Sequence, residues 1–413
     1  MSAEERRVFG ARVADLRRQK GVTQGELAST IGRTASWLSQ VERGIQPVNR
    51  LDVLRLLADG LGVPLQVLQP DAPPSVEAPP SSGAEAEAND LDQARLVLSG
   101  HPALDVLLNP VQDFQPGHLV GLQASVDEIW KLAHGAEFAE LSASVGVLVP
   151  ELERACRVAP VEYRPRLHDL LARTYQALAA AFVRQHEADA AWVAADRAIR
   201  EAELSGDPLS VFAGVYRLCH AFVRLKHLDQ AERAASTAVS ALEHAGAGEP
   251  TPPYLSVLGS LHLVLALVHA RSGARSAARR QIDTARSVGR RLGEDRNDFN
   301  LEFGPTNVEI QAVSTAVDLG DAGEALDLAR GLRTDGLSAE RRARLLMDTG
   351  RAHAQRRQYA DALDCLLRAE ELAPEMIRTH VAARTVISDL VLGAGRTASD
   401  ELRALARRTD SLG

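Results

Sequence analysis

Cysteine and aromatic residues are scarce in this chain of 413 residues. The three cysteines, Cys156, Cys219 and Cys365, lie far apart and form no CxxC pair, which argues against a disulfide framework or a zinc site. Aromatic residues make up 4% of the chain, whereas alanine and leucine are frequent. Because alanine and unbranched residues lose little freedom in a helix, this composition favours helices over strands. We expect a protein of the reducing cytoplasm.

Membrane and enzyme signatures are also missing from the sequence. We expect no apolar run near the ~18–20 residues that span a bilayer, and the start MSAEERRVFG lacks the apolar segment of a secretory signal. The motifs GxxxxGKS/T, HExxH and GxSxG are absent, as is GxGxxG after a strand. The histidines are scattered. We therefore expect no membrane association, no cofactor, no metal ion and no catalytic activity.

The net charge of −8 is distributed unevenly. Residues 1–70 hold ten basic and seven acidic residues, or +3, and residues 71–413 hold the remaining 37 and 48, or −11. A chain of this length is too long for one compact core, so at least two domains are expected. Only the small basic part is suited to contact nucleic-acid phosphates, and its modest charge favours two copies acting together.

Residues 70–90, PDAPPSVEAPPSSGAEAEAND, have almost no apolar side chains. Such a segment cannot bury enough surface to order itself, so we interpret it as a flexible linker. The alternative is an ordered loop packed on the larger part. The predicted domains are therefore 1–69 and 91–413, joined by 70–90.

Five short helices are predicted before the linker, at residues 7–19, 24–30, 35–43, 50–61 and 65–68. Glycines stand where four of them must end: Gly21, Gly32, Gly44 and Gly62. Thr23 and Thr34 precede the second and third helices as N-caps.

The second and third helices have the spacing of a fixed helix pair. Ala28 is small where the two helices must touch, and Gly32 lies at the turn between them, where a positive φ favours glycine. Four apolar residues recur at helical spacing and are expected to face inward: Leu27, Ile31, Leu38 and Val41.

This segment resembles the XRE family of helix-turn-helix regulators, from about Val8 to Leu68. The resemblance rests on many positions: Leu16-Arg17, Lys20-Gly21, Thr23-Gln24, Leu27-Ala28, Leu38-Ser39, Glu42-Arg43-Gly44, Pro47, Leu51, Leu54, Leu57-Ala58 and Leu61-Gly62-Val63-Pro64. It implies an N-terminal domain that binds double-stranded DNA in a sequence-specific way.

The resemblance also implies a role for each position of the helix pair. The residues expected to contact DNA are Thr23, Gln24, Arg33, Thr34, Ala35, Ser36, Trp37, Ser39, Gln40, Arg43 and Arg50. Gln24 would hold a phosphate at a helix start, and Gln40 would read adenine in the major groove. Trp37 is bulky for a position that faces the DNA groove. The alternative interpretation is that its side chain packs inside the domain. For Arg43, pairing with a nearby carboxylate is the alternative to a phosphate contact.

The rest of the chain reads as a series of helical hairpins, without a strand pattern. Residues 343–374 fit the tetratricopeptide pattern, with small residues at Ala343, Gly350, Ala362 and Ala369 and a helix-ending Pro374. Four weaker copies place alanine at position twenty: Ala191, Ala231, Ala278 and Ala325. Long loops are expected at 246–253 and 293–305. The predicted fold is all-α, with a five-helix N-terminal domain (the head) joined to a degenerate α-solenoid (the body). The alternative for the body is a generic helical bundle.

Together, head and body resemble the helix-turn-helix/tetratricopeptide regulators of bacteria, some of which bind short signalling peptides in the concave groove of the repeats. The segment Phe303-Gly304-Pro305-Thr306-Asn307-Val308 resembles a recurring segment of actinobacterial-type members. The resemblance implies a transcriptional regulator that works as a homodimer on a DNA operator.

A row of arginines is expected to face the groove of the body. Under the repeat alignment, the groove residues are Arg173, Gln176, Arg184, Tyr216, His220, Arg224, Arg271, Asn307, Arg344 and Arg351. Such a row favours an anionic effector, either a peptide or a small molecule. Three alternatives remain: the arginines only complement helix dipoles, the solenoid docks a protein partner without a small effector, or it only dimerises.

Overall fold

The computed structural model describes residues 3–30, 35–44, 57–58, 60–61, 63, 90–99, 114–245, 250–332 and 338–411. Every regular element in these residues is a helix, and one isolated bridge joins Arg296 to Phe303. The prediction of an all-α fold is confirmed.

The chain divides into two compact units, Met1–Glu85 and Ala86–Gly413. Residues 70–89, nearly all of the predicted linker, lie outside the described residues. The boundaries 1–69, 70–90 and 91–413 therefore stay a prediction.

The N-terminal unit contains α1 (Ala3–Gln19), α2 (Gln24–Thr30) and α3 (Ala35–Glu42). The second helix has the predicted bounds, the third ends one residue before the predicted end, and the first starts four residues before the predicted start. Residues 3–6 contain no glycine or proline, so nothing in the sequence prevents α1 from starting earlier than predicted. Of the two further predicted helices, residues 57–58 and 60–61 are helical, and the others lie outside the described residues.

The core of this unit lies where the three helices cross. Its buried residues include Leu27, Ala28, Leu38 and Val41, as the helical spacing predicted. Gly10 of α1 lies so close to the last turn of α3 that a Cβ there would overlap backbone carbonyl oxygens. This close approach fixes the crossing of α1 and α3.

The C-terminal unit, called the body below, is a succession of helices. They are α4 (Asp92–Ser99), α5 (His118–Gly135), α6 (Phe138–Val158), α7 (Arg164–Arg184), α8 (Ala188–Ser205), α9 (Pro208–Arg224), α10 (Leu228–Ala245), α11 (Pro252–Arg271), α12 (Arg275–Leu292), α13 (Pro305–Asp318), α14 (Ala322–Arg330), α15 (Ala339–Gln355), α16 (Tyr359–Leu372), α17 (Pro374–Thr379), α18 (Val381–Ala394) and α19 (Asp400–Arg408).

From α7 to α16 these helices pack as consecutive antiparallel hairpins, each against its neighbours in the chain. The residues predicted for the close crossings are fully buried: Ala191, Ala231, Ala278, Ala325 and Ala362. A Cβ on Gly350 would lie 3.2 Å from the carbonyl oxygen of Ala362, so a small residue is required there. The predicted series of helical hairpins is confirmed as a helical solenoid.

One helix of the body, α11, is long and apolar enough to cross a membrane by length and composition. The expectation that no apolar run approaches this length is wrong for α11. The helix is 78% buried over its most apolar window, and its polar groups are bonded inside the protein. Ser256 donates to Asp298 at 2.7 Å and His262 bonds to Gln281 at 2.7 Å, as in the core helix of a folded domain.

The predicted long loop between α12 and α13 is confirmed and spans residues 293–304. Three non-glycine residues in it, Phe299, Asn300 and Glu302, have positive φ angles of 51°, 55° and 52°. Packing holds this strained backbone in place. The Phe303 ring lies directly over Gly259, so a Cβ on residue 259 would overlap the Phe303 ring.

Helices that are far apart in the sequence approach each other across the body. Arg184 at the end of α7 forms an ion pair with Glu340 of α15 at 2.9 Å, and the backbone N–H of Val381 donates to His186 at 3.3 Å. These contacts join the first hairpins to the last ones around a central cavity.

Candidate functional site

The start of α2 is fixed by a reciprocal pair of hydrogen bonds. The backbone N–H of Glu26 donates to Oγ1 of Thr23 at 3.2 Å, and the backbone N–H of Thr23 donates to the Glu26 carboxylate at 2.7 Å. This capping box confirms the prediction that Thr23 is an N-cap. Thr34, the other predicted cap, lies outside the described residues.

An ion pair holds the end of α3 against α1. Arg17 donates two hydrogen bonds to the Glu42 carboxylate, at 2.6 and 3.1 Å, and a third to the carbonyl oxygen of Val22 at 2.9 Å. Burial opposes ionisation of Glu42, but hydrogen bonds from Arg17 and Gln24 outweigh it and hold the pKa of Glu42 below its usual value. The sequence analysis missed this pair, whose only signal is two opposite charges 25 residues apart.

The third helix presents the residues expected to read DNA. Leu38 and Val41 are buried, and Ser39 and Gln40 are partly exposed beside them. The exposed Arg43 donates to the carbonyl oxygen of Ser39 at 3.2 Å and forms no ion pair with a described residue. The carboxylate partner considered for Arg43 is therefore not found in the described part of the unit.

Several predicted DNA contacts cannot be placed in detail. The backbones of Ala35, Ser36 and Trp37 belong to α3, but their side chains lie outside the described residues, as do Arg33 and Arg50. Both interpretations of Trp37 stay open.

Gln24 is positioned differently from the expectation. Its amide donates to the Glu42 carboxylate at 2.6 Å, across the α2–α3 pair. The Gln24 side chain therefore braces the helix pair. A phosphate contact from the Gln24 side chain stays a prediction.

The body contains a cavity of about 440 Å³, lined by the inner faces of its helices and by residues 300–302 of the long loop. Eight of the ten residues predicted for the groove line it: Arg184, Tyr216, His220, Arg224, Arg271, Asn307, Arg344 and Arg351. The structure thus brings them together, and contact with an effector stays a prediction.

The other two predicted groove residues, Arg173 and Gln176, do not line the cavity, which corrects their placement. Arg173 forms an ion pair with Asp127 of α5 at 2.6 Å. Gln176 is buried and donates to the carbonyl oxygen of Ser210 in α9 at 3.2 Å. The reason is that α5 and α9 cover these positions of α7.

Two arginines of the cavity were missed by the sequence analysis. Arg217 donates to the carbonyl oxygen of Asn300 at 2.7 Å, and its guanidinium lies 5.2 Å from the ring centres of Trp130 and Tyr216. Arg341 donates to the carbonyl oxygen of Glu302 at 2.6 Å. Both therefore hold the strained loop by its backbone. Their only sequence signal was that they neighbour groove positions.

Seven arginines and five carboxylates line the cavity, so its formal charge is positive. Burial, together with the charges of Arg217 and Arg344, lowers the pKa of His220 to about 3. Burial, Arg344 and Arg224 likewise hold the pKa of His380 well below its usual value. Both histidines are therefore neutral at pH 7, and the cavity can attract an anion.

The N-terminal geometry agrees with a family comparison, in which residues 8–70 match the model of the helix-turn-helix domain. The chain is a DNA-binding transcriptional regulator with an N-terminal helix-turn-helix domain and a C-terminal helical-repeat body.

Comparison with the curated proteins gives no match. Among solved structures, the chain is similar to the crystal structure of Bacillus thuringiensis PlcR in complex with the peptide PapR7 and DNA, with 13% sequence identity and a TM-score of 0.33. The match covers 88% of this chain and 98% of that one. A likeness this distant carries no functional assignment.

Proposed function

We propose that this regulator is of the XRE type, binds a specific operator in the cytoplasm, and changes its DNA affinity when its tetratricopeptide-like body binds an anionic effector. The observation that carries the effector is the cavity of about 440 Å³, on which arginines, histidines and Asn307 converge. Its volume lies within the range of small-molecule sites, which is about 300–1,000 Å³.

Operator recognition rests on α3. Arg17 and Glu42 hold the last turn of this helix against α1, so Ser39 and Gln40 are presented at a fixed angle. Gln40 would read adenine through two hydrogen bonds, and Arg43 would hold the adjacent phosphate. The other predicted contacts are Thr23, Gln24, Arg33, Thr34, Ala35, Ser36, Trp37 and Arg50.

A homodimer fits the small charge of the N-terminal unit. With +3 over residues 1–70, one copy neutralises few phosphates, and two copies on half-sites about 34 Å apart would bind much more tightly. We assign dimerisation to the body, since residues 70–90, which the sequence predicts to be a flexible linker, would not fix the distance between two N-terminal units.

The arginines in the lining of the cavity favour an effector over protein docking. None of the large apolar residues exposed in the described part of the chain lines the cavity, whereas seven arginines do. A docking surface for a protein would instead present contiguous exposed apolar area. The effector would be a short peptide or a small molecule, recognised through Arg224 and Asn307 among others.

Operator binding is tested with the full chain on duplexes selected by genome-wide mapping of bound DNA. We expect Gln40→Ala to weaken binding by about 5- to 150-fold, the value of one paired contact to a base. Gln93→Ala, at an exposed position of α4, is the matched control and should leave affinity unchanged. Failure of the wild-type protein to protect any duplex in a footprinting assay would refute the proposal.

Effector sensing is tested on the same duplexes. A cell extract or candidate ligand that changes operator affinity should have no effect on Asn307→Ala, while DNA binding by the ligand-free variant persists. An unchanged response in Asn307→Ala and in Arg224→Ala would exclude this cavity as the sensor.

A further inference from the structure

Most charged groups of the cavity have partners within the body. Asp318 is shared by Arg351 at 2.7 Å and Arg271 at 3.7 Å, and Arg351 also pairs with Asp348 at 2.7 Å. Arg184 pairs with Glu340. The carboxylates of Asp318, Asp348 and Glu340 are therefore already paired with other arginines.

Arg224 and Arg344 are the exceptions. Among the described residues, neither forms an ion pair or a hydrogen bond, and the Nε of Arg344 is buried without a partner. Burial and the repulsion from Arg271 and Arg344 together outweigh the attraction of Asp318 and lower the pKa of Arg224 to about 10. Two partly buried cations that repel each other across one cavity favour the binding of an anion between them.

A row of uncommitted polar groups stands beside them. Asn307, Gln311 and Ser314 lie one turn apart on one face of α13 and line the cavity. Their side chains make no hydrogen bond to any described residue. All three residues are only partly buried, so their amide and hydroxyl groups are open to the cavity and can bond to a ligand inside it.

We propose that Arg224 and Arg344 bind the oxyanion group, a phosphate or a carboxylate, of a small polar effector whose amide or hydroxyl groups bond to Asn307, Gln311 and Ser314. This inference rests on the proposed function and names the chemistry of its effector. The cavity holds the volume of about fifteen water molecules, at ~30 Å³ each, so the effector is a compact molecule. The planar guanidinium groups would donate paired hydrogen bonds to the oxyanion and supply the missing counter-charge.

The test is thermal unfolding of the full chain with inorganic phosphate or succinate, each compared with sodium chloride at equal ionic strength. The comparison removes general salt screening. At ten times its Kd, a bound anion should raise the Tm of the body by about 2–4 °C. We expect Arg224→Gln and Arg344→Gln to weaken anion binding roughly 10- to 100-fold and so to reduce this shift to less than about a third. Arg290→Gln, at an exposed position of α12, should retain it.

The same variants separate a binding role from a structural one. Removing either unpaired arginine relieves repulsion, so the Tm in chloride should rise or stay unchanged. Arg224→Lys keeps the charge without the planar fork and should retain part of the shift. A larger shift with phosphate assigns a phosphate group to the effector, and a larger shift with succinate assigns a carboxylate.

The proposal is overturned if neither anion raises the Tm of the wild-type protein, or if both glutamine variants keep the full shift. A lower Tm of both variants in chloride would also overturn it, because the arginines would then be structural. These measurements contain no DNA, so their failure is distinct from a failure of operator binding.

Discussion

Replacing Arg17 with methionine should destabilise the N-terminal unit by about 3 kcal/mol, because it leaves the Glu42 carboxylate buried without its counter-ion. The side chains of Arg17 and Glu42 are only 13% and 7% exposed, so water cannot replace the lost bonds. The value lies at the lower end of the range for broken buried pairs, since Gln24 still donates to Glu42. Methionine keeps much of the packing of the arginine stem.

Urea unfolding followed by tryptophan fluorescence measures this loss. In a Trp130→Phe/Trp192→Phe background, Trp37 is the only tryptophan left and reports on the N-terminal unit. With an m-value on the order of 1 kcal/mol/M, the midpoint should fall by about 3 M. If the wild-type midpoint is lower than this, the variant should be unfolded without urea and should not bind the operator.

A double-mutant cycle completes the test. Arg17→Met/Glu42→Leu replaces both charges and should recover at least about 1.5 kcal/mol relative to Arg17→Met, because no unpaired charge remains. A double variant whose loss equals the sum of the two single losses would refute the reasoning, since the two charges would then not be coupled.

The pair also predicts a dependence on pH. The folded-state pKa of Glu42 is lowered, so its contribution is present above its unfolded value, about 4.3, and is lost as the pH falls through the folded value. The unfolding free energy of the N-terminal unit should therefore fall below about pH 4.3, and less so in Glu42→Gln.

Three further predictions concern packing and protonation. Gly10→Ala should destabilise the N-terminal unit by more than about 1 kcal/mol in the same urea assay, because the new Cβ would overlap the backbone of α3. The control is Gly25→Ala, where the new Cβ meets only one side-chain atom at 3.9 Å, and this variant should stabilise the unit by about 0.5–1 kcal/mol. Gly259→Ala should lower the Tm of the body by several degrees, since the new methyl group displaces the Phe303 ring, and an unchanged Tm would contradict the packing of the long loop. The His220 ring should show no NMR titration between pH 5 and 8, whereas a midpoint near 6.5 would show that it is not buried among arginines.

Local signals in the sequence predicted the helices of the N-terminal unit well. Thr23 satisfies free N–H groups at the start of α2, and Gly21 has the positive φ of 76° that ends α1. Both effects act within a few residues, so they can be read without knowledge of the tertiary structure. The pairing of Arg17 with Glu42 could not be predicted from the sequence, because it depends on the angle at which α1 crosses α3.

The same distinction applies to the cavity. Helical periodicity placed residues such as Arg184, Arg224 and Arg344 on inner faces, since successive hairpins repeat one orientation. It failed for Gln176, whose position on α7 is covered by a neighbouring helix. The loop at 293–304 could be located from its composition, but its contacts with Arg217 come from distant parts of the chain.

The contact between α7 and α15 also limits how this protein can change in length. In an open array of repeats, each unit contacts only its neighbours, so units can be added or removed at either end. Here the ion pair between Arg184 and Glu340 forms only when the intervening hairpins complete the circuit. Deleting or duplicating one hairpin would move α15 relative to α7 and separate these partners, so this contact depends on the present number of hairpins.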